Sequence, residues 1–373
     1  MQSKLFRCYA SAAFGLEGLV ASELRELNLS EVYAENGGVR FTATPEELML
    51  CNLRMHFCER VFIIAGEKKC YSFEDLFQLV FSVPWNEFVH GNEAFIVSSK
   101  CARSKLMSPR DCQSVSKKAI IEKLRKTTDR NVFPEDGSAF FVQISVHSDS
   151  VKVLINTSGE ALSRRGYRTW VGEAPLRETL AAALVFLSPW NPEKPLYDPC
   201  CGTGTILTEA ALMAVNRAPG IHRNFAMENM YPFRSFNLEK IRESEAEKER
   251  KAYRCCIAGS DISQDAVSLA EKHIRQAGMS GNISIACKPL AEVQLQEKKG
   301  VFICNPPYGE RMSDRITCRK LYRDLRMLKE RHSDWSMCVI SSDPAFERCF
   351  EKKADKKRRL YNGRLECTFY IYY

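Results

Sequence analysis

Two stretches carry residue types that could do chemistry together: Asp198-Pro199-Cys200-Cys201-Gly202-Thr203-Gly204 and Asn305-Pro306-Pro307-Tyr308. The first follows a short apolar run that ends in the acid, and it leads into the alanine- and leucine-rich Thr205-Ile206-Leu207-Thr208-Glu209-Ala210-Ala211. That order reads as strand, turn and helix. Gly202 and Gly204 remove side chains where the backbone must bend and where a ligand could lie against exposed N–H groups at the helix start. Thr203 and Thr205 can cap that helix, because a hydroxyl oxygen accepts from the orphan N–H groups of a first turn. Asp198 stands at the carboxyl end of the strand, where open α/β sheets bind ligands. An acid there suits a cationic or hydroxyl-bearing ligand better than a phosphate. The loop also lacks the lysine of a P-loop and the three-glycine spacing of a dinucleotide fingerprint.

The second stretch lies about a hundred residues on. Val301-Phe302-Ile303-Cys304 is an apolar strand that two consecutive prolines stop, so the loop after it is rigid. It holds out an amide, a carbonyl and an aromatic ring. An exocyclic base amine is a poor nucleophile because its lone pair is conjugated with the ring. Hydrogen bonds from its N–H groups to the Asn305 side-chain oxygen and the Pro306 carbonyl would bias the nitrogen toward tetrahedral geometry and stabilise the charge that develops on attack. Pro307 fixes the loop, and Tyr308 would stack on a base taken out of its helix. No strong general base is needed, since the alkylated amine loses a proton easily.

Taken together and in this order, the two stretches resemble the S-adenosylmethionine loop and the catalytic loop of class I amino-methyltransferases. More narrowly, nearly the whole chain is similar to bacterial THUMP-domain methyltransferases that modify guanine N2 in 23S ribosomal RNA. The resemblance implies an α/β fold: a Rossmann-like class I methyltransferase sheet (161–373) preceded by an α+β ferredoxin-like unit (1–66) and a THUMP RNA-binding domain (67–160). It implies S-adenosyl-L-methionine as cofactor, held by Asp198, Cys200, Gly202, Thr203, Gly204 and Asp261, with Ala174, Pro175 and Leu176 packed over its methionine end. It also implies an RNA partner, 23S ribosomal RNA or a ribosomal precursor. Arg103, Lys105, Arg110 and Lys117 are candidates for phosphate contacts, because a loop and a helix start bring cations to a backbone without reading bases. Arg311 extends the catalytic loop and could steer phosphate. One departure is Lys288-Pro289-Leu290, where related enzymes place an acid against the adenine amine; this leaves that contact open between a backbone group and Glu292. Rival readings are a DNA adenine-N6 methyltransferase, a tRNA guanine-N2 methyltransferase and a non-catalytic RNA chaperone or assembly factor with an inactive methyltransferase fold.

Composition bounds these readings. A chain of 373 residues calls for two or three domains, and 45% apolar content supports real cores. A formal charge of +8 suits an RNA surface without requiring one. The 16 cysteines are scattered with no Cys-x-x-Cys, and the histidines do not cluster with them. Reduced, mostly buried thiols are therefore expected and no metal. No stretch reads as a signal peptide or a membrane span, which gives an expectation of a cytoplasmic protein with no membrane partner.

The remaining elements must position these loops. Strands are expected at 6–12, 39–43 and 60–66 with helices at 17–27 and 45–53 between them, a ferredoxin-like alternation. A helix at 73–83, a strand at 94–100, a lysine-bearing helix at 112–126 and a hairpin of 140–147 with 150–157 around Ser148-Asp149 follow. Arg164-Arg165-Gly166-Tyr167-Arg168 reads as a linker, and 173–184 as a helix opened by Pro175. The long connection from Asn216 to Arg250 mixes aromatics with cations, and two readings stay open: an RNA clamp or a packed insertion. Strands at 255–263, 283–288, 336–341 and 365–373 and helices at 239–251, 266–274 and 321–328 complete the chain; His273 within its helix reads as a surface or packing residue. The basic run 352–359 reads as an RNA contact or a charged turn between strands.

Overall fold

The computed structural model describes residues 4–89, 92–128, 133–168, 176–308 and 312–373. In chain order its elements are β1 (Phe6–Ala12), α1 (Glu17–Glu26), β2 (Ser30–Glu35), β3 (Gly38–Ala43), α2 (Pro45–Arg54), β4 (Cys58–Lys69), α3 (Phe73–Ser82), β5 (Ala94–Ala102), α4 (Pro109–Thr127), β6 (Ala139–His147) and β7 (Ser150–Asn156). Then come α5 (Glu178–Leu187), β8 (Leu196–Asp198), α6 (Thr205–Ala214), α7 (Leu238–Glu247), β9 (Ile257–Asp261), α8 (Gln264–Gln276), β10 (Ile283–Cys287) and β11 (Gly300–Cys304). The chain ends with α9 (Met312–Arg331), β12 (Trp335–Ser341), α10 (Phe346–Phe350), β13 (Lys356–Asn362) and β14 (Leu365–Tyr372). These residues pack into two compact units.

The first unit comprises Met1–Ala12, Val20–Leu162 and Arg223–Ser244. Its sheet runs β2-β3-β1-β4-β7-β6-β5. The twelve-residue β4 joins its two halves, pairing with β1 through Tyr9↔Phe62 and with β7 through Ile63↔Ile155. The helices start where the sequence supplies caps: Thr44 with Glu47 before α2 and Ser72 with Asp75 before α3 each form a reciprocal capping box. The β6–β7 hairpin turns on Ser148 and Asp149, both left-handed at φ 49° and 63°, which matches the twist of the strands they join. Strand β2 is an addition to the expected alternation. It lies at the sheet edge with mostly exposed residues, so no apolar alternation marks it.

The Arg223–Ser244 stretch belongs to this unit as a packed insertion. Met227 N donates to the Thr157 carbonyl at 2.9 Å, and the Phe233 ring lies 5.7 Å from Phe6. Arg223 is buried and donates to the carbonyls of Glu160 and Ala161 at 3.0 and 2.9 Å. Of the two readings of this stretch, the packed one holds for Arg223, Phe225, Met230 and Phe233, all of which are buried.

The second unit comprises Ala13–Leu19, Ser163–His222 and Glu245–Tyr373, with sheet order β10-β9-β8-β11-β12-β14-β13. The first five strands are parallel, and β14 runs antiparallel to both neighbours. Chain order reverses between β8 and β11, the position at which doubly wound sheets open a crevice at their carboxyl edge. Tyr197, Phe302, Tyr322, Trp335, Phe346, Phe350, Tyr370 and Tyr372 fill one core, and Gly300 is needed beneath Trp335, whose indole would lie 2.6 Å from a Cβ there. The basic run is no simple turn: its second half forms the edge strand β13, and Arg358 donates to the Gly15 carbonyl at 3.0 Å. Helix α5 begins at Glu178 and not at 173, and Ala174 and Pro175 lie outside the described residues.

The linker reading of 164–168 is corrected. Tyr167 is buried, and its hydroxyl donates to Glu209 Oε1 at 2.8 Å. Arg165, with a side chain 2% exposed, pairs with the fully buried Glu209 at 3.5 Å. Arg168 donates to Glu178 Oε1 and to the Leu176 carbonyl, both at 3.1 Å. A stretch rich in arginine looks exposed by composition, but here it threads between α5 and α6 because two glutamates await it.

Candidate active site

β8 and β11 are neighbours in parallel register, Leu196↔Val301 and Tyr197↔Phe302, so the loops after Asp198 and Cys304 leave the same edge of the sheet side by side. Asp198 and Asn305, 107 positions apart in the chain, thereby stand at one edge of the sheet. The loop after Asp198 is held by several independent bonds. Cys201 N donates to the Ser260 carbonyl at 2.9 Å, Gly202 N to Asp261 Oδ2 at 2.9 Å and Gly204 N to the Cys201 carbonyl at 2.8 Å. Gly202 and Gly204 are left-handed at φ 51° and 77°, the conformation for which glycine carries no steric penalty. A Cβ on Gly202 would meet nothing within 4 Å, whereas one on Gly204 would sit 3.1 Å from Ala270 Cβ. The first glycine therefore faces open space, and the second lets the loop close on α8.

Asp198 is 1% exposed and its Oδ1 accepts from Cys200 N at 3.1 Å. Burial holds its carboxyl well above the usual carboxylate range, the Cys200 N–H opposes that, and the nearby Asp261 charge adds to it. Asp261 is half-buried at the end of β9, with Oδ1 accepting from Ser263 N at 3.0 Å in addition to Gly202 on Oδ2. Each oxygen keeps a second lone pair, so the carboxylate can still accept from two hydroxyls. Burial pushes the Cys201 and Cys304 thiols far up, which leaves them as packing groups without nucleophilic character.

In the other loop, Asn305 is half-buried, Pro306 buried and Pro307 exposed. The Tyr308 hydroxyl donates to Asn305 Oδ1. Burial, and the Cys367 sulfur beside it, push the Tyr308 phenol far above its ordinary value, so it stays a neutral donor. The fully buried Tyr322 donates to the Pro307 carbonyl at 3.3 Å.

Two positioning groups escape sequence reasoning. Tyr322 sits in α9 with no motif around it. His273 is fully buried, and its Nδ1 lies 3.2 Å from the Thr203 carbonyl, tying α8 to the glycine loop. A histidine in the last turn of an amphipathic helix gives no sequence signal of that kind.

The other expected site residues fall as follows. Leu176 is buried. Lys288 donates its backbone N–H to the Asp261 carbonyl at 3.0 Å and holds its ammonium 5.8 Å from the Tyr197 ring, while Glu292 is exposed. In the first unit, Arg103, Lys105 and Arg110 are exposed around the entry to α4. Lys105 N donates to Asp149 Oδ1 at 2.9 Å, and its ammonium lies 5.3 Å from the Tyr71 ring. Lys117 is ion-paired with Glu135 at 2.7 Å, which lessens its charge toward a ligand. Arg311 lies outside the described residues. Among the described residues no group of three or more His, Cys, Asp or Glu could hold a metal, and no helix is long and apolar enough to cross a membrane.

The switch point of the parallel sheet, the acid-glycine loop and the Asn-Pro-Pro-Tyr loop beside it define a class I methyltransferase. Comparison with known proteins carries this further: residues 165–371 match the model of the RMKL-like methyltransferase domain, 7–62 that of the RlmL ferredoxin-like domain, and 70–156 that of the THUMP domain. The chain belongs to the RMKL-like methyltransferase family, and it carries the ferredoxin-like and THUMP domains ahead of the methyltransferase domain. It is 34% identical over 99% of its length to YpsC of Bacillus subtilis (strain 168), a candidate RNA methyltransferase of which it covers 96%. It is 32% identical over 95% of its length to the ribosomal RNA large subunit methyltransferase K/L of Vibrio cholerae, and spans about half of that protein, 51%. Among solved structures it is similar to SMU.472, a candidate methyltransferase complexed with SAH, at a TM-score of 0.92 and 36% identity, covering 100% of this chain and 99% of that one.

Proposed function

We propose that this protein transfers a methyl group from S-adenosyl-L-methionine to the exocyclic N2 amine of a guanine in 23S ribosomal RNA. The observation that carries the reading is the adjacency of β8 and β11, which places the Asp198–Gly204 loop and Asn305-Pro306-Pro307-Tyr308 on one edge. The residues present fit the cofactor. Open space over Gly202 admits its close approach, and Asp261 has the lone pairs to receive ribose hydroxyls. Buried Asp198 gains its charge most readily beside a cation, and Leu176 with the segment before it, Ala174 and Pro175, is the candidate cover for the methionine end. Cys200 and Thr203 complete the candidate wall. The cofactor supplies a methyl on an electron-poor sulfur; the chain's own task is to orient and activate the nitrogen.

Asn305 Oδ1 and the Pro306 carbonyl would accept the two amine N–H groups, stabilising the positive charge that grows as the lone pair leaves conjugation. Asn305 Oδ1 already accepts from the Tyr308 hydroxyl on one lone pair and has the second for the amine, while the Tyr308 ring is the candidate to stack on the base. Rigidity comes from Pro307 and from Tyr322 on its carbonyl. We assign RNA capture to the 67–160 segment, with Arg103, Lys105 and Arg110 as phosphate contacts, Lys117 in a lesser part, and Arg311 beside the catalytic loop. The boundaries 1–66, 67–160 and 161–373 are proposed on the same footing, as is action in the cytoplasm.

The test is methyl incorporation from labelled S-adenosylmethionine into large-subunit RNA lacking its modifications, unmethylated DNA and tRNA transcripts, followed by nucleoside mass spectrometry. Label recovered as N2-methylguanosine from the ribosomal RNA supports the reading. Label as N6-methyladenine in DNA, or in tRNA alone, would replace it.

A further inference from the structure

Cys101 in β5 and Cys112 in the first turn of α4 bring their sulfurs to 3.8 Å, with the Cys101 thiol directed at Cys112 Sγ. Cys101 is half-exposed and Cys112 fully buried. The ten residues between them carry Arg103, Lys105 and Arg110. A second tether already holds this loop: Ser104 Oγ and Lys105 N both donate to Asp149 Oδ1, at 2.7 and 2.9 Å. A disulfide needs the sulfurs at about 2.05 Å, an approach of about 1.8 Å from where they stand.

We propose that Cys101 and Cys112 are a reversible oxidation site, forming a disulfide in the folded protein when it meets a hydroperoxide and stapling the loop that carries the three cations. In the first step the Cys101 thiolate attacks a peroxide oxygen. The O–O bond breaks, a sulfenic acid forms and the second oxygen leaves as hydroxide, which takes a proton to become water. In the second step the Cys112 sulfur attacks the Cys101 sulfur. The S–S bond forms as the S–O bond breaks, and the departing hydroxide leaves as water with the Cys112 proton. Two electrons pass from the thiols to the peroxide, and a dithiol restores the reduced pair. Burial, and then the neighbouring Cys101, push the Cys112 thiol up to about 12, so closure of the disulfide quickens as pH rises.

The consequence for binding rests on the reading of Arg103, Lys105 and Arg110 as phosphate contacts. Stapling both ends reduces the freedom the loop loses on binding, so the oxidised protein should hold RNA more tightly. The experiment treats the full-length reduced protein with hydrogen peroxide, alkylates remaining thiols under denaturing conditions and maps the peptides. The expected result is a linked peptide pair containing Cys101 and Cys112, two hydrogens lighter than its parts. It should form about tenfold faster than any other cysteine pairing, because the two thiols are already in contact. Dithiothreitol removes it, and in Cys112→Ser the Cys101 sulfenic acid accumulates and is trapped by dimedone. Oxidised Cys101 with Cys112 still alkylated in the unsubstituted protein, or other pairings dominating, overturns the proposal. RNA affinity is measured on the same samples: a gain of about threefold or more that reverts with dithiothreitol supports both readings. An unchanged affinity with the linked peptide present leaves the disulfide site standing and removes the loop from the RNA interface.

Discussion

Replacing Glu209 with alanine should unfold the methyltransferase unit more than almost any other single change away from the crevice. Glu209 is fully buried in α6, receives the Tyr167 hydroxyl at 2.8 Å and pairs with Arg165 at 3.5 Å, where the arginine side chain is 2% exposed. Removing the carboxylate leaves a guanidinium in the interior without that counter-charge, and breaking one side of a buried pair costs about 3–5 kcal/mol. The Tyr167 bond is part of that total, since a hydrogen bond to a charged group is worth about 1.5–3 kcal/mol. For a unit of this size a loss of 1 kcal/mol lowers the midpoint by about 2–4 °C, so a fall of about 6–20 °C is expected. Tyr167→Phe should recover only the hydrogen-bond share. Adding it to the Glu209→Ala background should cost almost nothing further, because its partner is already gone. The assay is thermal unfolding followed by near-ultraviolet circular dichroism with hydrogen exchange on α6. A Glu209→Ala protein within about 1 kcal/mol of the native would refute the reasoning and return 164–168 to the status of a linker.

Gly259→Ala places a Cβ 2.7 Å from Leu207 Cδ1 and 2.9 Å from the Asp198 carbonyl, so the strand pair must move; calorimetry should show S-adenosylmethionine affinity falling at least about tenfold, and unchanged affinity would contradict the packing. Asp198 has its folded-state carboxyl raised, so the folded chain keeps its proton to higher pH than the unfolded chain, and this group's contribution to stability falls as pH rises from the unfolded value through the raised one. Asp198→Asn should therefore be more stable than the native protein at neutral pH while binding the cationic cofactor less well; denaturant titrations at pH 4 and pH 7 showing no gain at the higher pH would refute this. Tyr322→Phe removes the donor to the Pro307 carbonyl and should lower kcat by about three- to tenfold with cofactor affinity unchanged, and a KM effect alone would argue for another role.

The sequence shows the two chemical loops because both depend on residues with few substitutes: glycine where φ is positive at 202 and 204, and paired prolines where a strand must stop at Cys304. Strand and helix order was legible wherever burial imposes a period, as in α8, with Val267, Ala270 and Ile274 buried on one face. It was not legible for β2, whose residues are mostly exposed, or for β13, which opens with four consecutive cationic residues, so neither edge strand shows an apolar alternation. The buried Arg165–Glu209 and Arg168–Glu178 pairs were hidden for the opposite reason. Charge alone reads as exposure, and only the fold reveals the partner that makes burial affordable. His273 and Tyr322 act through single contacts on backbone carbonyls, which leave no pattern in sequence.

The account stands on a nitrogen activated by Asn305 in a loop that does not itself build the cofactor pocket. Single-turnover methyl transfer by Asn305→Ala, measured beside calorimetric titration with S-adenosylmethionine, tests this directly. Loss of one accepted charge-assisted bond should cut the rate by about a hundredfold or more, with cofactor affinity within about twofold of the native protein. Native-like transfer, or a variant that no longer takes up cofactor, would contradict it.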